Sequence, residues 1–410
     1  MNKRIAIPIL ALILILIDLY AFEAIWALIG DTSPQFQQIT SYLYWGLSAF
    51  TLVGLFAYHF VSPEILGKRA RMLIMVFIFS VYIAKTFMIF SLILDDLRRL
   101  LMWIWAQLLG GSFEVDRSLW ILGIGAFLAV FTLIAILWGI VVGAHDYAVR
   151  KSDVFIKDLP EAFEGFKAIQ ISDIHSGTFW NKKAVHRGID LILEQRADVI
   201  FFTGDLVNNV AEEIEAYTDV FSRLEAPMGV YSVLGNHDYG DYVYWPTQAA
   251  KRANLDKLMR LQREMGWDLL INEHRILEKE GAKIAVLGIE NWGAKARFPK
   301  YGDLAKAYKG TENIPVKVLL SHDPSHWLAE VIPQYPDIDL TLSGHTHGMH
   351  FGIDTKRFKW SPVKYVYQQW ADLYKEGQQY LYVNRGFGYL GFPGRVGIRP
   401  EITVLTLRKG

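Results

Sequence analysis

The sequence predicts two units of different fold class, an all-α membrane domain over residues 1–150 and an α/β domain over residues 151–410. Residues 1–150 contain four long apolar segments and almost no long polar stretch. Residues 151–410 contain short apolar runs that are each followed by Asp, Asn or His, and we place the join near residues 145–157. Units of about 150 and about 260 residues are each large enough for one compact body.

Each apolar segment of the first unit reaches the roughly 20 residues that a helix needs to cross the hydrocarbon core of a bilayer. The segments are residues 5–29, 42–60, 72–94 and 119–144, which are too long for ordinary buried core helices. A signal peptide is the alternative for the first segment, because Lys3 and Arg4 precede it. No cleavage site of small residues follows, so we favour a retained anchor.

Basic residues predict the orientation of these helices, since Lys and Arg collect on the cytoplasmic side. One side would carry Lys3, Arg4, Lys68, Arg69, Arg71, Arg150 and Lys151. The first loop on the other side, residues 31–40, has no basic residue, while the second holds Arg98, Arg99 and Arg117. The bias therefore places the α/β domain in the cytoplasm.

Two charges fall within the apolar segments at matching depths. Asp18 lies fourteen residues after Arg4, and Lys85 lies fourteen residues after Arg71, so each is about 21 Å into its helix. Because an unpaired charge at this depth costs roughly 2.5–3.5 kcal/mol, we predict that the two pair with each other. Separate extension of each side chain toward the outer face is the alternative.

The segment at residues 97–109 mixes arginines with Leu, Met, Ile and Trp. We expect it to lie along the membrane interface, where aromatic and cationic side chains are enriched. A continuation of the third helix is the alternative.

Five polar blocks in the second unit each follow an apolar run that is typical of a buried strand. The runs are residues 168–171, 199–202, 230–234, 316–320 and 340–342. The blocks are Asp173-Ile174-His175, Gly204-Asp205, Gly235-Asn236-His237-Asp238, Ser321-His322 and Gly344-His345-Thr346-His347. Short apolar runs bounded by turn residues predict strands, and sites in layered α/β folds form at strand ends.

Carboxylates and neutral imidazoles are ligands for Mn, Fe, Zn and related ions, and a shared carboxylate bridges two ions roughly 3.5–4 Å apart. One such block alone is weak evidence, but five in order at strand ends predict a two-metal site. This pattern is typical of phosphoester hydrolysis.

These blocks resemble the calcineurin-like metallophosphoesterase family, whose pattern runs D-x-H, G-D, G-N-H-[DE], H and G-H-x-H. The resemblance covers about residue 153 to the C-terminus, and the segments 159–166 and 395–401 look like the membrane-associated bacterial branch. It implies a four-layer αββα sandwich and, for the whole chain, a bacterial inner membrane protein.

The resemblance also implies the residue roles. Asp173, His175 and His347 would bind the first metal, Asn236, His322 and His345 would bind the second, and Asp205 would bridge them. Manganese is the first choice for both ions, with iron, zinc or others as alternatives. A water shared by two cations becomes hydroxide near neutral pH and would attack the phosphorus.

His237 matches the family's candidate general acid, which would protonate the leaving oxygen, and its alternative role is only to bind phosphate. One departure concerns its partner. The Ser/Thr protein phosphatase branch reads G-D-x-x-D-R-G, whereas this chain has Asn208 and Asn209 in place of the Asp and Arg. Asn208 could orient His237 but would not raise its pKa as an anion would. This argues against phosphoprotein substrates.

Two segments are candidates for contacts with substrate. The aromatic loop at residues 239–246 follows His237 directly and is a candidate wall for an apolar or ring-bearing group, or else a loop packed on its own domain. The segment at residues 351–382 is rich in Lys, Arg, Trp and Tyr. It could meet anionic lipid headgroups, or be an ordinary solvated face.

Composition excludes several classes of protein. The chain contains no Cys, which rules out disulfides and thiolate metal sites. Lys+Arg and Asp+Glu are 42 each, so no charge excess indicates a nucleic-acid partner.

We therefore predict a membrane-anchored phosphoesterase acting on a phosphodiester or pyrophosphate, with a lipid-linked substrate and membrane lipids as expected partners. The alternative is a membrane transporter or sensor whose phosphoesterase domain is regulatory. A binding module with a degenerate site is weaker, because the ligand set is complete.

Overall fold

The computed structural model describes residues 3–110, 115–295 and 299–410. The chain divides into two compact units, Met1–Trp138 and Gly139–Gly410. The boundary at residues 150 and 151 that hydropathy suggests stays a prediction.

Helices make up the first unit. They are α1 Lys3–Ile29, α2 Pro34–Phe60, α3 Pro63–Leu66, α4 Lys68–Leu108 and α5 Leu119–Val141. All except α3 are long and apolar enough to cross a membrane, which confirms the four predicted segments. The second begins at Pro34 rather than at residue 42, because the Ser33 side chain accepts a hydrogen bond from the Phe36 amide and caps the helix.

For residues 97–109 the structure favours the alternative of a continued third helix, because α4 extends as one helix to Leu108. Its basic side chains find partners one turn earlier on the same helix. The Arg98 guanidinium lies 2.8 Å from the Asp95 carboxylate, and that of Arg99 lies 3.7 Å from Asp96. Pairs with this spacing support helix formation, so the charges need no separate interfacial segment.

The predicted pair between Asp18 and Lys85 is confirmed. The Lys85 ammonium lies 2.6 Å from Asp18 Oδ1, and their side chains are 7% and 1% exposed. Lys85 also donates to Ser48 Oγ at 2.9 Å, and the Tyr82 hydroxyl donates to Asp18 Oδ2 at 3.2 Å. Neither charge extends separately toward the end of its helix.

Two six-stranded sheets form the second unit. The strands are β1 Ala148–Ile156, β2 Lys167–Ile171, β3 Val199–Phe202, β4 Val230–Ser232, β5 Asp268–Leu269, β6 Glu273–Lys279, β7 Ala282–Gly288, β8 Lys317–Leu320, β9 Leu340–Ser343, β10 Ile353–Asp354, β11 Lys359–Trp360, β12 Asp372–Glu376, β13 Gln379–Val383 and β14 Glu401–Lys409. The sheet orders are β1-β14-β2-β3-β4-β5 and β12-β13-β9-β8-β7-β6, and β10 and β11 form a separate hairpin.

Two helices of this unit are long, α6 Lys182–Glu194 and α9 Gln248–Glu264. The others are short: α7 Glu212–Glu215, α8 Thr218–Phe221, α10 Leu304–Tyr308 and α11 Ile332–Gln334.

Alternating side chains in the strands build three apolar layers. In β3, Val199 and Phe201 join the core between the two sheets, while Ile200 and Phe202 join the core under α6 and α8. In β8, Val318 and Leu320 face the central core and Leu319 joins a third core with α10. Because side chains alternate along a strand, both faces of each sheet are covered. The α/β domain therefore has the predicted layers, with helices outside two packed sheets.

Strand direction brings the polar blocks together. In the first sheet β2, β3 and β4 run parallel, and in the second sheet β8 and β9 run parallel. All five predicted strands are present, and each polar block begins within three residues of a strand end. Parallel strands place their carboxyl ends at one edge.

Candidate metal centre

The structure brings all seven predicted metal ligands into one buried cluster with two overlapping parts. In the first part, ligand atoms of Asp173, His175, Asp205 and His347 all lie within 4.8 Å of one another. His347 Nε2 lies 3.1 Å from Asp173 Oδ1 and 3.1 Å from His175 Nε2. His175 Nε2 lies 3.5 Å from Asp205 Oδ2.

The second part shares Asp205 with the first. Ligand atoms of Asp205, His322 and His345 lie within 4.8 Å of one another. His322 Nε2 lies 3.2 Å from Asp205 Oδ2 and 3.3 Å from His345 Nδ1. The side-chain oxygen of Asn236 lies 2.8 Å from His345 Nδ1. One carboxylate therefore faces both groups of nitrogen and oxygen atoms.

Backbone conformation at this cluster is unusual for residues that are not glycine. The left-handed region is occupied by Asp173 (φ 52°), His175 (47°), Asp205 (62°), His345 (69°) and His347 (51°). Such conformations are uncommon outside glycine and concentrate at functional sites, where the surrounding structure maintains them. Five of the seven predicted ligands are therefore held against their backbone preference.

Close packing between neighbouring loops explains two of the glycines in the motifs. A Cβ atom on Gly235 would lie 2.2 Å from Asp205 Oδ1, and one on Gly344 would lie 2.2 Å from Asp173 Oδ2. Neither position has room for any side chain. The glycines thus allow the loops after β4 and β9 to approach the two carboxylates.

A hydrogen bond at the far side of the His322 ring fixes the orientation of the ring. His322 Nδ1 lies 2.7 Å from the Thr203 carbonyl, to which it donates, so Nε2 faces Asp205. A ligating histidine commonly donates its other ring nitrogen in this way. Burial by itself lowers the pKa of His322, but the charge of Asp205 raises it to about 10. The cluster therefore favours positive charge at this position.

His175 and His345 favour the neutral form, which is the form that binds metals. Burial lowers the pKa of His175 to about 3 and also lowers the pKa of His345. The Nε2 atoms of His175 and His347 are too close for both to carry protons. Two carboxylates with converging neutral imidazoles fit a divalent cation well, since each supplies a lone pair toward the same point.

Sequence reasoning missed Tyr367 and Asp323, which hold the His345 ring in place. The Tyr367 hydroxyl donates to Asp323 Oδ2 at 3.2 Å and lies 3.0 Å from His345 Nε2. Because the hydroxyl proton is committed to Asp323, Tyr367 accepts from His345, which places the imidazole proton on Nε2. The lone pair on Nδ1 then faces Asn236 and His322. Asp323 directly follows ligand candidate His322, which was the available signal.

His237 lies at the edge of the cluster. Its backbone N–H donates to Asp205 Oδ1 at 2.8 Å, and its Nδ1 lies 2.7 Å from the Asn208 carbonyl oxygen. The backbone of Asn208 thus orients the ring, rather than the side chain that sequence reasoning suggested. A neutral carbonyl fixes the ring without adding a negative charge.

Two carboxylates shape the loop that carries Asp205 and Asn208. Asp238 accepts hydrogen bonds from the backbone N–H groups of Asp205, Leu206 and Gly235 at 2.8–3.0 Å, so it does not contact the His237 ring. Glu213 accepts from the backbone N–H of Asn208 at 2.6 Å. No motif pointed to Glu213, because its contacts with this loop are to backbone N–H groups.

The aromatic loop contributes one ring to the site. The Tyr242 ring lies 4.5 Å from the His237 ring, and its hydroxyl accepts from Asn236 Nδ2 at 2.8 Å. Tyr239 instead is buried and stacks on Tyr301, while Tyr244 is 90% exposed. The loop is therefore partly a wall of the site and partly packed on its own domain.

Both parts of the chain match family models. Residues 3–144 match the transmembrane domain of probable calcineurin-like phosphoesterases, and residues 166–349 match the calcineurin-like phosphoesterase domain.

Relatives occur in bacteria and animals. The uncharacterized metallophosphoesterase YkuE of Bacillus subtilis is 31% identical over 255 residues, covering 61% of this chain and 82% of that protein. Phosphodiesterase YaeI of Escherichia coli is 27% identical over 264 residues, covering 63% and 87%. A transmembrane protein with metallophosphoesterase domain from Danio rerio is 29% identical over 287 residues, covering 68% of this chain but only 62% of that protein. The chain belongs to the calcineurin-like phosphoesterase family and carries that family's four-helix transmembrane domain.

Proposed function

We propose that this membrane protein is a binuclear metal-dependent phosphoesterase that hydrolyses a phosphodiester or a pyrophosphate. The observation that carries the proposal is Asp205, whose carboxylate faces both groups of candidate ligands. The first ion would be held by Asp173, His175 and His347, and the second by Asn236, His322 and His345, with Asp205 shared. Two bound cations supply water activation near neutral pH and stabilise charge on the phosphoryl oxygens.

The surrounding residues of the chain have separate tasks in this proposal. His237 would bind the phosphoryl or leaving oxygen through Nε2, since its Nδ1 is committed to the Asn208 carbonyl. That partner is a neutral backbone carbonyl, whereas the Ser/Thr protein phosphatase branch has an aspartate at this position. Substrates with good leaving groups therefore fit better than phosphoserine or phosphothreonine. Tyr242, beside His237, would contact the group next to the phosphorus.

Location and metal identity belong to the same proposal. The basic residues at the helix ends support a cytoplasmic catalytic domain in a bacterial inner membrane. Nitrogen and oxygen ligands support manganese first, and they accept iron or zinc as well. Anchoring in a bilayer raises the effective concentration of the catalytic domain near lipid-linked phosphoesters, which supports that substrate class.

The test is hydrolysis by the full chain in detergent with added Mn²⁺. The substrates are bis-p-nitrophenyl phosphate, p-nitrophenyl phosphate and a UDP-linked acyl sugar, each offered to the native chain and to Asp205→Asn. Asp219→Asn is the matched control, because Asp219 is a surface residue of the same unit that pairs only with Lys182 among the described contacts.

We expect cleavage of the diester or the pyrophosphate that Asp205→Asn abolishes and Asp219→Asn retains. Equal activity of the native chain and Asp205→Asn would overturn the proposal, and so would activity on the monoester alone.

A further inference from the structure

A surface next to the metal centre combines exposed apolar side chains with basic ones. It consists of the β10–β11 hairpin and the turn that follows it, residues 353–366, and we refer to it as the hairpin surface. Phe358 is 56% exposed, Tyr365 75% and Val366 55%. Lys356 and Arg357 lie at the tip of the hairpin, and Lys364 lies on the turn. Clustered exposed apolar side chains on a folded domain indicate an interaction site.

The charge on this surface is one-sided. Among the described residues, Lys356 and Arg357 have no ion pair. The nearby acids are committed to other partners: Asp354 to Arg385 and Arg150, and Asp372 to Arg385 and Lys359. The outward charge is therefore positive and available to an anionic partner.

Local hydrogen bonds hold the surface in a defined shape. Thr355 Oγ1 donates to the Phe358 carbonyl at 2.9 Å and accepts from the Phe358 N–H at 3.0 Å, which closes the tip around Lys356 and Arg357. Trp360 Nε1 donates to the Tyr365 hydroxyl at 3.5 Å, joining the hairpin to the turn. The apolar and basic side chains are thus presented together.

The hairpin surface also connects directly to the candidate metal centre. Ser361 Oγ donates to the Gly348 carbonyl at 2.7 Å, one residue after His347. Tyr367, one residue after Val366, lies 3.0 Å from His345. Whatever occupies this surface is held close to the candidate ligands.

We propose that the hairpin surface docks on an anionic phospholipid bilayer. Phe358 and Tyr365 would enter the headgroup layer, while Lys356 and Arg357 would contact lipid phosphates. A bilayer is the favoured occupant because apolar side chains and unpaired cations occur together at one tip, and because the same chain carries four helices long enough to cross a membrane. The inference goes beyond the proposed function, since docking requires neither metal nor hydrolysis.

The absence of native cysteine allows a direct test with single labels on the full chain. Phe358→Cys carries an environment-sensitive fluorophore, and the protein is reconstituted in nanodiscs that contain a nitroxide-labelled lipid. The matched control is Glu278→Cys, an exposed position on β6 of the same unit. The nanodiscs contain phosphatidylcholine alone or mixed with phosphatidylglycerol.

We expect the nitroxide to quench the label at residue 358 but not at residue 278, with stronger quenching in the anionic nanodiscs. Each basic residue near an anionic surface contributes about fivefold to binding, so Lys356→Gln combined with Arg357→Gln should shift the docked-to-undocked ratio about 30-fold. Added salt should reduce the quenching as well.

Equal quenching at residues 358 and 278, or none at 358, would overturn the proposal. So would quenching at 358 that is the same in neutral and anionic nanodiscs and unchanged by the two Gln substitutions. Because no substrate is present, a failed hydrolysis assay leaves this result intact, and a failed docking assay leaves the proposed function intact.

Discussion

The membrane unit and the α/β unit both bury carboxylates, but the surroundings of those carboxylates differ. Asp18 lies 2.6 Å from the Lys85 ammonium and accepts a further hydrogen bond from Tyr82. Asp173 and Asp205 instead face several imidazole nitrogens that converge on them, on backbone held in left-handed conformations. The Asp18 carboxylate has its charge and hydrogen-bond partners within the chain. The candidate metal ligands instead direct lone pairs toward a common point. Burial of a charge alone therefore does not indicate function.

This contrast bears on the transporter or sensor alternative. The Asp18 and Lys85 charges were its only support in the sequence, and the structure pairs them with each other and with Ser48. A closed pair between α1 and α4 stabilises helix packing and needs no transported ion. The pairing therefore removes the observation that favoured the alternative.

The largest expected effect compares one aspartate from each unit. Asp173→Asn should lower kcat about 1,000-fold or more, because it removes a candidate ligand of the first ion. Asp18→Asn combined with Lys85→Met removes the buried pair as a unit and should leave kcat within about threefold. Steady-state hydrolysis of bis-p-nitrophenyl phosphate by the detergent-purified chains measures both. A large loss in the double variant would reverse the roles of the two regions.

The second prediction concerns Lys85 alone. Lys85→Met leaves Asp18 buried without its partner and should lower the free energy of unfolding by about 3 kcal/mol. The double variant Asp18→Lys/Lys85→Asp should recover folding that either single reversal loses. Thermal unfolding and membrane expression of the full chain report these effects. Additive losses in the exchanged pair would show that the two charges act separately.

The third prediction concerns Asp372, a carboxylate of the α/β unit that, like Asp18, is paired with basic side chains. Burial by itself raises the pKa of Asp372, but hydrogen bonds and charge from Arg385 and Lys359 lower it to about 2. Its folded pKa therefore lies below the ordinary value of about 4, so its stabilisation of about 2 kcal/mol is complete above pH 4 and is lost as the pH falls toward 2.

Asp372→Asn should consequently be less stable than the native chain at pH 7, and the difference should close between pH 4 and pH 2. Denaturant unfolding of the two proteins at several pH values measures it. A difference that is constant over this range would contradict the assigned ion pair.

The smallest expected effect concerns the hydrogen bond between Tyr367 and the candidate metal ligand His345. Tyr367→Phe removes the hydroxyl that accepts from His345, and the loss of such an outer hydrogen bond commonly weakens metal binding about 10-fold or more. We expect one of two Mn²⁺ ions to bind more weakly while the other is unchanged, as measured by calorimetric titration. Tyr374→Phe, a tyrosine on β12 whose hydroxyl accepts from backbone N–H groups, is the matched control. Equal weakening in both variants would show that Tyr367 has no specific role.

Much of this arrangement could be predicted because it depends on short patterns. Short apolar runs bounded by turn residues identified the strands, and the polar blocks at their ends identified the seven candidate metal ligands as one site. Matching depths in the helices were enough to pair Asp18 with Lys85. In each case sequence spacing sets the distance along one element, and a single further contact completes the feature.

Contacts to backbone and between distant segments could not be predicted. The Asn208 carbonyl orients His237, and Glu213 fixes that loop through N–H groups, which any residue type could offer. Tyr367 reaches His345 from beyond the β10–β11 hairpin. The continuation of α4 depended on arginine pairs whose geometry only the folded helix shows.

The most direct test counts metal ions. The full chain, loaded with Mn²⁺ in detergent and desalted, is analysed by mass spectrometry of its metal content beside Asp205→Asn and Asp219→Asn. If Asp205 is shared by two sites, the native chain and Asp219→Asn should retain two ions per chain, and Asp205→Asn should retain fewer than one. One ion or none in the native chain, or two ions in Asp205→Asn, would contradict a shared binuclear centre.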